Sequence, residues 1–142
     1  MSKINLTNVN KSFSNGNSSF QALKDINLTI NSGDFISIVG KSGSGKTTLM
    51  NMLAGIDYPT TGTVQIDTSI LNDMSESKLS KWRGTNIGIV FQFFQLIPTL
   101  TILENVMLPM DFCKTYPKAQ RPKRALDLLK QMGIEDQANK LP

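Results

Sequence analysis

The sequence contains no histidine, which excludes histidine-based acid–base catalysis and histidine metal ligation within the chain. Its one cysteine, Cys113, excludes an internal disulfide and makes a reducing compartment the simpler setting. Charged residues make up only 18%, so a solvated, disordered tail does not dominate the chain. Long hydrophobic runs are also missing. The longest apolar-rich stretch, Ile87 to Pro98, is interrupted by Gln92 and Gln95 and is too short to cross a bilayer. Met1 to Asn10 is polar and strand-like, without the apolar region of a secretory leader. The expectation is a chain with no direct membrane span, whose membrane role, if it has one, goes through a partner. What remains is 142 residues, 39% of them apolar, about one domain's worth with enough for a core. A net charge of +4 suits an anionic ligand without specifying one.

Ile4, Leu6 and Val9 predict a first strand, and Ala22–Ile30 a second with Ile26, Leu28 and Ile30 on one face. Ser12–Gln21 and Asn31–Asp34 read as turns, rich in Ser, Asn and Gly. Phe35–Val39 and Asn86–Gln92 are nearly all apolar and β-branched, as expected of strands buried on both faces. Tyr58–Gly62 reads as a turn before a short strand, Thr63–Asp67. Helices are expected over about Lys46–Ala54, Ser75–Arg83, Thr101–Asp111 and Ala119–Met132. Pro109 should end or kink the third, and Gly133 should stop the fourth. In the third, Leu103, Val106 and Met110 form an apolar stripe; in the fourth, Ala125, Leu128, Leu129 and Met132 share a face. Strands pairing locally, then strand–helix–strand, predict an antiparallel β-layer beside a parallel α/β core.

One stretch carries chemistry. In "ISIVGKSGSGKTTLMNMLAG", Ile36 to Gly55, the residues Gly40, Gly45, Lys46 and Thr47 fit G-x-x-x-x-G-K-[ST]. A buried strand is expected before it and a helix after it. A loop of this kind turns its backbone N–H groups inward as an anion nest at the positive end of a helix dipole. Glycines at 40, 43 and 45 permit the backbone to approach phosphate closely. Ser42, Ser44 and Thr48 complete the cradle, Lys46 reaches the β- and γ-phosphates, and Thr47 offers its hydroxyl to Mg²⁺.

The loop alone does not separate kinases, GTPases and ATPases. With "NIGIVFQFFQLIPTLTILENV" after it, the chain resembles the ATP-binding cassette of ABC transporters, nearest the lipoprotein-release and macrolide-efflux type. The similarity runs from Ile4 to Pro142. It implies a fold: α/β, a partial P-loop NTPase core with an antiparallel β-subdomain and the start of a helical subdomain. Residues 1–32 and 60–72 would form the β part, 33–59 and 73–95 the core, and 96–142 the helical part. It implies ATP and Mg²⁺ as cofactors, with Gln92 as the Q-loop glutamine beside the metal and γ-phosphate, and Phe13 where the family stacks an aromatic ring on adenine. It further implies a membrane permease and a second nucleotide-binding domain (a homodimer) as partners, and a cytoplasmic location, peripheral on the inner face of the membrane. Phe93, Phe94, Leu96 and Ile97 fall in the stretch that faces the permease; on their own terms they are a docking surface or core of the helical part.

Other features of the family are missing. No segment of four apolar residues ending in Asp is credible as a Walker B strand: "TVQID" contains Gln65, "LAGID" follows the loop too closely, and "MLPMD" contains Pro109. No LSGGQ sequence occurs, and the sequence stops at Pro142, where that motif would follow. The expectation is a first half or slightly more of a nucleotide-binding domain, binding Mg-ATP weakly without turning it over, with exposed apolar surface and low stability. Two other readings compete with this one. A non-catalytic nucleotide-binding or regulatory module would bind without hydrolysis. A small P-loop kinase would need a lid of phosphate-binding arginines, and Arg83, Arg121 and Arg124 are too few. The basic run Lys114, Lys118, Arg121, Lys123 and Arg124 has only Tyr116 as an aromatic companion and reads as a solvated helix face, not a nucleic-acid site.

Overall fold

The structure, a computed structural model, describes residues 3–16, 18–93 and 95–142. It divides into two compact units, Met1–Arg83 and Gly84–Pro142.

The first unit is built on a four-stranded antiparallel sheet in the order β2-β1-β3-β4. Its strands are β1 (Lys3–Asn15), β2 (Ser18–Asn31), β3 (Thr61–Ile66) and β4 (Ser69–Ile70). The long turn expected over Ser12–Gln21 does not form: both strands run into it, and Ser12 pairs with Gln21 and Phe13 with Phe20. Backbone pairing across a hairpin satisfies these N–H and C=O groups better than isolated turns would. β1 is irregular between Leu6 and Ser12, where Asn8 takes φ 49° and its N–H donates to Asn27 Oδ1 at 2.9 Å. On β2, Ile26, Leu28 and Ile30 are half-buried between exposed neighbours, the alternation their spacing predicts. Leu6 pairs with Val64 across β1 and β3, and both are buried. Gly62 has φ 89°, and a Cβ there would lie 2.3 Å from the Asn8 carbonyl oxygen, so only glycine lets β3 cross β1 this closely.

Two helices cover this layer. α1 (Lys46–Leu53) buries Met52. α2 (Glu76–Asn86) buries Leu79 and runs three residues past the expected end at Arg83. The Arg83 guanidinium donates to the Gly55 carbonyl at 2.6 Å, an intramolecular role for an arginine otherwise available for a phosphate lid. The core is Leu6, Val9, Leu23, Met52, Val64, Ile66, Leu71 and Leu79. Each such side chain contributes roughly 1.5–3 kcal/mol on burial.

The two segments expected as buried strands are not strands. Phe35–Val39 and residues 87–91 follow irregular paths with no ladder partner. Phe35 is 97% exposed, Val39 84% and Val90 100%. A β-branched run becomes a strand of a sheet only when a neighbour takes its hydrogen bonds, and a parallel strand needs that neighbour from across a crossover. Among the described residues no strand lies beside either segment.

The second unit holds α3 (Ile102–Cys113) and α4 (Arg121–Gln131). α3 begins with a complete capping box: the Thr101 hydroxyl accepts from the Glu104 N–H, and the Glu104 carboxylate accepts from the Thr101 N–H at 2.7 Å. The Thr101 N–H first, and then the Thr101 hydroxyl donating to the same carboxylate at 2.8 Å, hold the Glu104 pKa below the ordinary glutamate range. Pro109 neither ends nor interrupts α3, which continues to Cys113 and closes at Lys114 in a left-handed conformation. α4 buries Ala125 and Leu129, whereas Met132 is 76% exposed and so leaves the shared face predicted for it. Gly133 follows at φ 70° and ends the helix. Arg121 departs from the solvated-face reading of the basic run: it is buried, ion-paired with Asp111, and donates Nε to the Tyr116 carbonyl. Lys114, Lys118, Lys123 and Arg124 remain exposed. Asn105 sits buried on the apolar side of α3, accepting from the Ile97 N–H and donating to the Ile97, Leu100 and Thr101 carbonyls. Periodicity gives no hint of that role, because it treats a polar residue on an apolar stripe as noise.

Candidate functional site

The glycine-rich loop runs from Gly40 to the start of α1 and is held against β2. Gly45 is the N-cap of α1 at φ 85°, and a Cβ there would lie 2.5 Å from the Ala22 carbonyl oxygen. The close approach of loop to strand therefore requires glycine. A Cβ at Gly40 would meet Ser44 Oγ at 2.7 Å, whereas Gly43, at φ 77°, faces open space. The loop closes on itself through Ser44 N–H donating to the Lys41 carbonyl at 3.2 Å.

Two features make this an anion site in physical terms. No side chain caps the first turn of α1, and no acidic residue lies in it. The first N–H groups of the helix are thus left to whatever occupies the loop. Lys46 extends back over the loop, its ammonium donating to the Gly40 carbonyl at 2.9 Å and the Lys41 carbonyl at 2.8 Å. Two neutral carbonyls hold the cation in place but leave its charge uncompensated, and an entering phosphate supplies the missing charge.

Beside the loop lies an open pocket of about 310 Å³. It is lined by Ser42 through Thr48 of the loop and by Phe13, Phe20 and Ala22 of β1 and β2. This volume is at the low end of small-molecule sites. The structure thus brings Phe13, from β1, to the same cavity as the loop, although Phe13 and Ser42 are 29 positions apart in sequence. Gly40 contributes its carbonyl to Lys46 and does not line the cavity. Sequence reasoning missed Phe20 and Ala22. Phe20 lies in a stretch whose composition reads as a turn, and the signal that finds it is its registration with Phe13 across the hairpin.

Gln92 lies in the second unit, exposed and on irregular backbone, not at a strand end. Phe93, Leu96 and Ile97 are exposed and so are not core of the helical part. Phe94 lies outside the described residues. No group of three or more acidic or cysteine side chains suited to a metal ion occurs among the described residues.

Comparison with known proteins gives the family. The profile of the ABC transporter family matches residues 23–142. The chain belongs to the ABC transporter family. It is 45% identical over 139 residues to the lipoprotein-releasing system ATP-binding protein LolD of Bacteroides thetaiotaomicron, covering 98% of this chain and 62% of that protein. It is 46% identical over 144 residues to the ABC transporter ATP-binding protein MJ0796 of Methanocaldococcus jannaschii, covering 98% of this chain and 60% of that one. The solved dimer of MJ0796 in a post-hydrolysis state, bound to ADP and Pi, matches at a TM-score of 0.89 over 98% of this chain and 61% of its own. The fold is that of a partial ABC cassette, with its antiparallel sheet formed and its P-loop in place. The chain spans about three-fifths of the length of these relatives. No helix among the described residues is long and apolar enough to cross a membrane.

Proposed function

We propose that this chain is the nucleotide-gripping portion of an ABC transporter ATP-binding subunit, and that it binds Mg-ATP through Gly40–Thr48 and Phe13. The observation that carries this is the single pocket shared by Phe13 and the uncapped, lysine-covered N-terminus of α1. The donors fit a polyphosphate: backbone N–H groups, two serine and two threonine hydroxyls, and one ammonium. A divalent cation fits as an ion carried in on the phosphates, with the Thr47 hydroxyl as the protein's contribution; bound there, it would offset phosphate charge. Gln92 is assigned to the same metal and γ-phosphate by resemblance.

In this reading residues 1–32 and 60–72 form the β part, 33–59 and 73–95 belong to the core, and 96–142 begin the helical part. The subunit works on the cytoplasmic face of a membrane, with a permease and a second cassette as partners. A relative that is part of a lipoprotein-releasing system and another solved as a dimer support that assignment. The chain contains no LSGGQ sequence, no Walker B segment and no histidine, so it does not hydrolyse ATP by the family's route on its own.

Isothermal titration of the chain with ATP and Mg²⁺ tests the binding. Lys46→Ala should weaken it at least ten-fold, and a variant that binds as well as the parent would end the assignment. A steady-state phosphate-release assay should read zero turnover. Turnover that vanishes in Lys46→Ala would instead show a complete catalytic site.

A further inference from the structure

The hairpin that carries Phe13 places a second ring beside it. Phe20 is the in-register partner of Phe13 across β1 and β2. Directly opposed residues of an antiparallel pair project from the same face, their Cβ atoms about 4.5–5.5 Å apart. Both residues line the pocket, and both are well exposed, Phe13 at 46% and Phe20 at 61%. Neither ring is core, so packing does not account for a pair of aromatics here. Phe13 is also braced. The Lys11 ammonium lies 4.9 Å from its ring centroid and is itself fixed by Asp57 Oδ1 at 2.6 Å and the Tyr58 carbonyl at 2.8 Å. A tethered cation at that distance favours one setting of the ring. Apart from the loop and these two rings, only Ala22 lines the pocket, and its carbonyl lies against Gly45 of the loop. The lining that β1 and β2 contribute is thus two rings and one small residue.

We propose that Phe20 is a second base-contacting residue, forming with Phe13 a two-ring platform that recognises the face of a nucleobase. The proposal rests on the nucleotide reading above and adds a residue to it. The loop holds the phosphates, and the hairpin holds the base by stacking and apolar contact.

The test separates base from phosphate. Binding of ATP and of inorganic tripolyphosphate, both with Mg²⁺, is measured by titration calorimetry on the parent, Phe20→Ala, Phe20→Trp and Lys46→Ala. A base–aromatic stack is worth about 1–3 kcal/mol, so Phe20→Ala should weaken ATP about five-fold or more. It should leave tripolyphosphate within two-fold, since that ligand has no base. Phe20→Trp, which keeps a flat ring, should bind ATP within about three-fold of the parent. Equal loss of both ligands in Phe20→Ala would make Phe20 a support for the loop and overturn the proposal, as would no loss of either. Tripolyphosphate that fails to bind the parent, or binds Lys46→Ala equally well, would remove the phosphate site and the platform with it.

Discussion

The β1–β2 hairpin and the segment that follows it, Phe35–Val39, are neighbours in sequence and opposites in structure. The hairpin is polar along much of its length, with Asn and Ser at many positions, yet its strands pair over most of their 13 and 14 residues. Phe35–Val39 is far more strand-like by composition and is unpaired and open to solvent. Local closure explains the difference. An antiparallel partner lies one turn away along the chain, so β1 and β2 satisfy each other at little entropic cost. A segment suited to the middle of a parallel sheet depends on strands reached only through crossovers. β propensity therefore reports where a residue would fit once neighbours are supplied, not whether they are there.

The largest effect should come from the paired region. Leu6→Ala removes a 2%-exposed side chain opposite Val64 and should destabilise the first unit by about 2–5 kcal/mol in a urea melt followed by circular dichroism. Gly62→Ala should follow, at roughly 1–3 kcal/mol, because a non-glycine residue at φ 89° is strained and its Cβ would collide with the Asn8 carbonyl. Its counterpart in the unpaired region, Gly88→Ala, meets nothing within 4 Å and should be silent. If Gly88→Ala proves as damaging as Gly62→Ala, the 87–91 segment is paired in solution and the contrast fails.

A smaller effect is expected in the second unit. Thr101→Ala removes the N-cap of α3 and should lower its stability by about 1 kcal/mol. The cap also carries a response to acid. Glu104 has a depressed pKa in the folded chain and an ordinary one when unfolded. Its contribution is therefore whole above the ordinary glutamate pKa and is lost as pH falls through the depressed folded value. Glu104→Gln removes the titrating group and should flatten that dependence; a parent and a Glu104→Gln variant that lose stability in parallel across that interval would show that Glu104 is not the cause. The smallest change in stability should come from Val39→Asn with Val90→Lys, two side chains at 84% and 100% exposure. That pair should leave the melt within about 0.5 kcal/mol. It should nonetheless shift sedimentation toward monomer, because it breaks two exposed apolar segments. Aggregation equal to the parent would place the sticky surface elsewhere.

Lys46, Gly45 and the helix after them were legible because a phosphate loop is a local device. Its spacing is its geometry, and α1 begins at Lys46 where the motif requires. The cap at Thr101 and the stop at Gly133 were legible for the same reason. Phe13 was found through resemblance, and the structure then placed it at the loop's own cavity. Phe20, Arg121 and Asn105 were misread or overlooked. Each owes its role to a partner elsewhere in the chain: the Phe13 register, the Asp111 carboxylate, the Ile97 backbone.

Residue order alone was enough for the family, the phosphate loop, the four helices to within a few residues and the absence of histidine from the chain. These depend on motif spacing, caps and composition, all of which act over a few residues. Which apolar segments become strands, which exposed rings share a cavity with the loop, and which basic residue is buried were set by long-range contacts. Those outcomes depend on which groups meet across the chain, because an N–H, a ring face or a guanidinium takes its role from the atom placed opposite it.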